Sequence, residues 1–109
     1  MNYLSRIEEV ILLAVYQLHD NAYGVTIREH VAELMQKSFS VGAIYVPLDR
    51  LTRKGFLEAH NGNPTPERGG RSKRYFRITA SGLEELERIK KLHQTMWSGI
   101  KELTVPSHS

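Results

Sequence analysis

The chain has no cysteine among its 109 residues, and this absence excludes several classes of protein. Neither a disulfide framework nor a zinc ribbon with thiolate ligands can form. The five histidines lie far apart in the sequence, so no metal-ligand spacing is present and we expect no metal site. A chain without disulfides suits a reducing compartment, and we expect a cytoplasmic location.

Long hydrophobic runs are also absent. The most apolar stretch, residues 7–18, is interrupted by Glu8, Glu9 and Gln17, and it is shorter than the roughly 20 apolar residues that span a bilayer. We therefore expect neither a membrane anchor nor a signal peptide. The sequence also lacks a Gly-x-Ser-x-Gly elbow, a phosphate loop and a dinucleotide fingerprint. No catalytic residue and no cofactor are predicted.

Positive charge is present but unevenly distributed. Nine of the fifteen lysines and arginines, but only three of the twelve aspartates and glutamates, lie between residues 37 and 77. Half of residues 68–77 are basic: Arg68, Arg71, Lys73, Arg74 and Arg77. Such a concentration favours a surface that binds a polyanion. A solvated loop that keeps the protein soluble is the alternative.

The spacing of apolar residues predicts four helices and one β-hairpin. The first helix runs from about Ser5 to His19. The second begins near Asn21, a suitable N-cap, and its buried face consists of Ile27, Val31 and Leu34. We expect Gly24, near the start of this helix, to let another backbone approach closely.

The third helix and the hairpin after it have the pattern of a DNA-binding unit. Ser40 can cap a helix that ends at Gly55, and Ile44, Leu48 and Leu51 form its apolar face. The opposite face would meet the major groove, while strands at residues 56–60 and 74–78 flank a glycine-rich basic loop that serves as the wing. The predicted DNA-binding residues are Ser40, Gly42, Tyr45, Val46, Arg50, Arg53, Arg68, Arg71 and Lys73.

Some of these residues have a second interpretation. The Tyr45 ring can pack on the edge of the core instead of reaching a phosphate, and Arg50 and Arg53 can be solvated instead of contacting DNA. Arginine is nevertheless the common bidentate partner of guanine. Pro47 removes one helical amide and is expected to bend the recognition helix.

The last helix is predicted from about Ala80 to Leu103, with Thr79 as its cap. Steps of three and four residues along it are typical of a coiled-coil seam and predict a homodimer. The predicted dimer interface is Leu86, Ile89, His93, Met96, Ile100 and Leu103.

Trp97, the only tryptophan, lies beside this seam. It is either a packing residue of the interface or part of a pocket for a planar hydrophobic effector. The candidate pocket residues are Ile7, Ile11, Val15, His93, Met96 and Trp97.

The fold class that follows is mainly α with a small β-hairpin. Residues 1–79 are predicted to form a winged helix-turn-helix DNA-binding domain, residues 80–103 a dimerisation helix and residues 104–109 a flexible tail.

The chain resembles the PadR family of transcriptional regulators. The resemblance rests on Tyr23-Gly24, on Gly42-Ala43-Ile44-Tyr45 with Leu48, Arg50 and Leu51, on Lys54-Gly55-Phe56-Leu57, and on the segment 70–82. It implies a homodimeric winged helix-turn-helix repressor of the short subfamily, dimerised by its C-terminal helix, which releases DNA when a small effector binds. Two departures concern the base-reading face: Val46 stands between the helix-three tyrosine and Pro47, and Asp49 is acidic.

We therefore predict a sequence-specific DNA-binding transcriptional regulator, a repressor released by a small molecule. The alternative is a winged-helix module that binds an acidic protein or RNA. The salt dependence of binding to duplex DNA and a preference for palindromic sites discriminate between the two.

Overall fold

The described chain consists of four α-helices and one two-stranded hairpin. The computed structural model describes residues 3–62 and 73–107. The elements in chain order are α1 (Arg6–Leu18), a 3₁₀ turn (His19–Asn21), α2 (Gly24–Met35), α3 (Val41–Arg53), β1 (Leu57–Asn61), β2 (Arg74–Ile78) and α4 (Ala80–Met96). The predicted fold class is confirmed. Within these ranges no helix is both long and apolar enough to cross a membrane.

The hydrophobic core is built around α1. One face of this helix is fully buried, and α2, α3 and the hairpin each contribute side chains that cover it. The buried core consists of Ile11, Leu12, Ala14, Val15, Ala22, Ile27, Val31, Ile44, Leu48, Leu51, Leu57 and Phe76. Because α1 packs against both helices of the helix-turn-helix and against the wing, its position determines theirs.

The start and the end of α2 differ from the prediction. Tyr23, not Asn21, is the N-cap, and the Tyr23 amide donates a hydrogen bond to Thr26 Oγ1 at 3.0 Å. Asn21 lies in the 3₁₀ turn instead. Leu34 is 43% exposed, because Met35 makes the core contact of the last turn.

The recognition helix α3 begins and ends as its local sequence predicts. The Ser40 hydroxyl accepts a hydrogen bond from the Ala43 amide at 3.1 Å, and Gly55 adopts a left-handed conformation with φ of 83°. Phe56 was expected in the first strand, but its amide donates to the carbonyl of Leu51 at 3.0 Å. This bond belongs to the end of the helix, so β1 begins one residue later.

The hairpin is held against the helix-turn-helix by its second strand. β1 and β2 are antiparallel, with Ala59 opposite Phe76. On its other side, the Phe76 amide donates to the carbonyl of Ala22 at 2.8 Å, and Tyr23 and Tyr75 form an isolated bridge with ring centroids 5.4 Å apart. The wing therefore has a fixed position relative to the start of α2.

The prediction for the end of α4 is wrong. The helix starts as expected, since the Thr79 hydroxyl accepts a hydrogen bond from the Gly82 amide at 3.1 Å, but it ends at Met96 instead of Leu103. Gly99 has a φ of 80°, a left-handed conformation that a helix does not continue through. Ile100 and Leu103 thus lie outside the helix, and the three-four seam does not reach them.

Candidate nucleic-acid interface

One face of α3 is free of the core and points away from it. Gly42, Val46, Asp49 and Arg53 are all exposed along this face, with Val46 at 57%. A Cβ atom placed on Gly42 would meet no atom of the described chain within 4 Å. These four positions are therefore accessible from outside the chain.

Tyr45 packs at the edge of this face, against the start of α2. Its hydroxyl lies where a side chain at position 24 would be, so that a Cβ on Gly24 would overlap it. Gly24 was expected to admit another backbone; the structure shows that it admits a tyrosine side chain. The Tyr45 ring stays 42% exposed. Tyr45 therefore packs on the edge of the core, as the second interpretation expected, and part of its ring stays accessible.

A buried carboxylate on α1 orients two cations of α3. The Glu8 side chain is only 4% exposed, and its Oε2 atom lies 3.2 Å from Lys54 Nζ and 3.9 Å from Arg50 Nε. Its Oε1 atom accepts a hydrogen bond from the Ser5 amide at 2.9 Å and completes a capping box at the start of α1. Burial would raise the pKa of Glu8, but the hydrogen bonds from Ser5 and Lys54 and the charge of Lys54 outweigh it and lower the pKa below its ordinary value.

The acid on the outward face has a basic partner from the wing. Asp49 Oδ1 lies 3.8 Å from Arg74 Nη1, and both side chains are more than half exposed. The Arg74 guanidinium also lies over the Phe76 ring, 5.3 Å from its centroid. An exposed pair of this kind contributes little to stability, but it locates the first residue of β2 beside the middle of α3.

Lys73 is held at the base of the wing. Its ammonium nitrogen lies 4.2 Å from the centroid of the Tyr23 ring, a cation–π geometry. The lysine is thus positioned between the hairpin and the start of α2. Of the other predicted wing residues, Arg68 and Arg71 lie outside the described residues.

Several residues of this surface could not be identified from the sequence pattern. The spacing of Ser5 and Glu8 is that of a capping box and could have located the start of α1, but nothing local indicates that Glu8 meets Arg50 and Lys54, more than 40 residues away. The same holds for Arg28, whose Nε donates to the carbonyl of Phe39 at 2.7 Å and ties α2 to the turn before α3.

A second feature is an open apolar groove of about 820 Å³ between α1 and α4. His93 bridges it, with Nε2 3.3 Å from Glu9 Oε2. The groove is lined by Glu9, Leu13, Tyr16, Leu83, Leu86, Glu87, Ile89, Lys90, His93 and Gln94.

The residues predicted for an effector pocket are not brought together. Ile11 and Val15 are buried in the core, and Ile7 packs against it, so the α1 wall of the groove is supplied by Leu13 and Tyr16 instead. The apolar stripe of α1 is wide enough to cover both the core and the groove. The sequence alone does not indicate which of its residues face which. His93 does line the groove, whereas Met96 and Trp97 are exposed at the end of α4.

The predicted dimer residues also divide into two groups. Ile89 is 8% exposed and packs within the chain, and Leu86 packs against the core. Met96, Ile100 and Leu103 are exposed.

Within the described residues, no group of three or more His, Asp or Glu side chains could hold a metal ion.

A helix-turn-helix whose second helix is exposed on one side, followed by a hairpin with basic residues at its base, defines the winged-helix class of DNA-binding proteins. The family model described as the transcriptional regulator PadR-like family matches residues 12–88. No curated protein matches the chain significantly. The chain belongs to the PadR-like family, and it is a DNA-binding transcriptional regulator, not an enzyme.

Solved structures agree with this assignment. A PadR-like transcriptional regulator from Bacillus cereus strain ATCC 14579 is 27% identical, with a TM-score of 0.68 and 84% of each chain covered. A PadR family transcription regulator from Clostridium difficile R20291 is 26% identical, with a TM-score of 0.66, over 84% of this chain and 90% of that one. RosR from H. salinarum, at 16% identity and a TM-score of 0.70 over 90% of this chain and 81% of that one, shares the fold.

The lowered pKa of Glu8 predicts how the stability of the fold depends on pH. Glu8→Gln keeps an acceptor for the Ser5 amide but removes the charge that Lys54 and Arg50 face. We expect a loss of about 1 to 3 kcal/mol in the free energy of unfolding at neutral pH, below the cost of breaking a fully buried ion pair because the cations are partly exposed.

Because the folded pKa is lowered, the stabilisation is present above the unfolded carboxyl pKa of about 4.3 and is lost as the pH falls through the folded value. The gap between wild type and Glu8→Gln should therefore close in acid, as measured by urea unfolding from pH 7 to pH 3. Glu29→Gln, an exposed carboxylate of α2, is the matched control and should change little. Parallel pH profiles for wild type and Glu8→Gln would contradict the assignment.

Proposed function

We propose that the protein is a repressor that binds DNA as a two-fold dimer in the cytoplasm. In each subunit α3 lies in the major groove and the hairpin follows the adjacent backbone. The observation that carries this arrangement is the pair between Asp49 and Arg74 at 3.8 Å. It places the start of β2 beside the middle of the outward face of α3, so that helix and wing present one continuous surface to a duplex.

The cations of this surface have different roles in the proposal. Arg50 and Lys54 lie on the edge of α3 nearest to α1, where Glu8 limits their reach, so they contact phosphates. Lys73, held over Tyr23, does the same on the side of the wing. Arg53 lies at the C-terminal end of the outward stripe, and within the described chain it is the arginine of this stripe that is free to contact a base edge.

These roles predict separable effects on DNA binding. Lys73→Ala should weaken binding to all duplexes alike and reduce the slope of log affinity against log salt by roughly 1 per lost contact in each subunit. Arg53→Ala should change the preference among sequences, at a cost of about 1 to 3 kcal/mol for each contact with the preferred site. Titrations at several salt concentrations measure both.

Lys91→Ala provides the control, because Lys91 is exposed on α4, outside the proposed surface. It should leave the slope and the preference unchanged. An unchanged slope in Lys73→Ala would show that this lysine is only solvated. Binding to acidic protein or to RNA with no measurable affinity for duplex DNA would contradict the whole arrangement.

The proposed dimer uses the groove between α1 and α4 and the exposed apolar residues beyond it. The largest exposed apolar side chains of the C-terminal region are Leu83, Leu92, Met96, Trp97, Ile100, Leu103 and Val105. A small domain gains stability by covering such surface. Two-fold pairing through this region would repeat the recognition helix, and successive half-sites one helical turn apart, roughly 34 to 36 Å, would accommodate both copies.

Leu83→Glu should separate the subunits. Leu83 lies on the wall of the groove and is exposed in the single chain, so the substitution places a charge in the interface without disturbing the core. Light scattering of the wild type should give twice the chain mass of 12.5 kDa, and the variant should give one. Lys91→Glu, which adds the same side chain elsewhere on α4, should remain dimeric. A monomeric wild type at binding concentrations would refute the dimer.

A planar hydrophobic effector would be enclosed between the two subunits in the same groove. The walls are mostly apolar, Tyr16 offers a ring from α1, and Trp97 follows the last turn of α4. Stacking between aromatic rings favours flat ligands. A ligand that loosens DNA must itself bind the DNA-loaded dimer more weakly by the same factor.

Trp97 tests the effector directly, since it is the only source of indole emission. Titration with 2-naphthoate, a planar aromatic anion whose charge disfavours intercalation into DNA, should change that emission and release bound DNA. Trp97→Ala and Trp97→Phe contain no indole, so calorimetry and DNA release measure the ligand affinity of these variants. Trp97→Ala should weaken both binding and release, and Trp97→Phe should retain most of the affinity because it keeps a flat ring. Equal 2-naphthoate affinity by calorimetry in wild type and a folded, dimeric Trp97→Ala would assign Trp97 to packing alone.

A further inference from the structure

The part of α3 that would lie deepest in the major groove has an unusual composition. At the start of the helix the exposed positions are occupied by Val41, Gly42 and Ala43, and Val46 follows one turn later. From the N-cap through the first half of α3, only Ser40 and Tyr45 carry polar side-chain atoms. The Ser40 hydroxyl caps the helix, and the Tyr45 hydroxyl lies against Gly24. The exposed side chains at the start of α3 are therefore apolar.

Nothing in the described fold requires these residue types. The buried side of α3 is filled by Ile44, Leu48 and Leu51, and Val46 on the opposite side is mostly exposed. Gly42 has open space where a Cβ would stand. Both valine and glycine are poorer helix formers than alanine. The face at Gly42 and Val46 is therefore accessible to a partner that approaches from outside the chain.

Hydrogen-bonding groups begin only in the second half of the helix. Asp49 is paired with Arg74, and the Arg53 Nε donates to the Asp49 carbonyl at 3.5 Å. A carboxylate that is engaged by the wing is a poor acceptor for the amino group of cytosine. In the major groove, the base feature that apolar side chains recognise is the C5-methyl group of thymine.

We propose that Val46 selects thymine in each operator half-site by packing against its C5-methyl group, and that Gly42 lets the base edges approach the helix closely enough for this contact. The inference rests on the proposed docking of α3 in the major groove. The proposed targets are duplex sites with thymine at the position that faces the start of the recognition helix. The helix recognises this position by shape and methyl contact, and arginines contact the bases toward its other end.

Replacement of thymine by deoxyuridine tests the proposal, because it removes the methyl group and leaves base pairing intact. A preferred duplex is first selected from random sequences, and each of its thymines is then replaced in turn. We expect a loss of about fourfold in affinity for each methyl group that is buried by the contact, at one or two positions in each half-site and at no others.

The same substitutions in protein variants assign the contact to a residue. With Val46→Ala, deoxyuridine at the sensitive position should no longer change affinity, so that the two changes are not additive. Val25→Ala removes the same atoms from a similarly exposed valine on α2 and should keep the full deoxyuridine effect. Gly42→Ala should fold with unchanged or higher thermal stability and bind the selected duplex more weakly.

The outcomes separate this inference from the proposed function. If no duplex is preferred over another, sequence-specific binding itself fails. If a preferred duplex exists but deoxyuridine changes nothing at any position, or if Val46→Ala keeps the full deoxyuridine effect, methyl recognition by Val46 is wrong while the DNA-binding function stands. If Gly42→Ala binds as tightly as the wild type, the close approach at Gly42 is wrong.

Discussion

The carboxylate of Glu8 is the interaction on which the arrangement of the DNA-binding surface depends. It is buried, it closes the capping box at the start of α1, and it pairs with Lys54 and Arg50 of α3. A buried charge without partners would be costly, so the native packing of α1 and α3 is the one in which the cations reach it. The recognition helix is consequently fixed at its C-terminal half by charge and at its N-terminal half by the fit of Tyr45 against Gly24.

The wing is positioned by contacts of another kind. Its second strand is joined by a backbone hydrogen bond to Ala22 and by ring contacts between Tyr23 and Tyr75, both just before α2. The pair between Asp49 and Arg74 adds a weak link to α3. Helix and hairpin thus belong to one rigid unit at their bases. This would favour the phosphate contacts proposed above, because cations that are already in place lose less conformational entropy on binding.

The sequence predicts those structural features that depend on neighbouring residues. The caps at Ser40 and Thr79, the left-handed Gly55 and the bounds of β2 are local, and the structure agrees with them. The regular three-four spacing toward Leu103 is also local, but it does not show that Gly99 ends the regular structure first. Which side of the apolar stripe of α1 faces the core and which faces the groove depends on partners far away in the sequence. For the same reason the pairing of Glu8 with α3 could not be predicted.

Helix α1 also connects the two regions that a regulator must couple. Adjacent residues point to opposite partners: Glu8 binds the cations of α3, and Glu9 lies 3.3 Å from His93 on α4. The groove lies between α1 and α4. A change in their separation would therefore move the turn of α1 that contains Glu8, which contacts Arg50 and Lys54. Coupling between sites needs an element whose position both sites influence. For the effector proposed above, the first turns of α1 would be such an element, because a rigid helix cannot shift Glu9 without shifting Glu8.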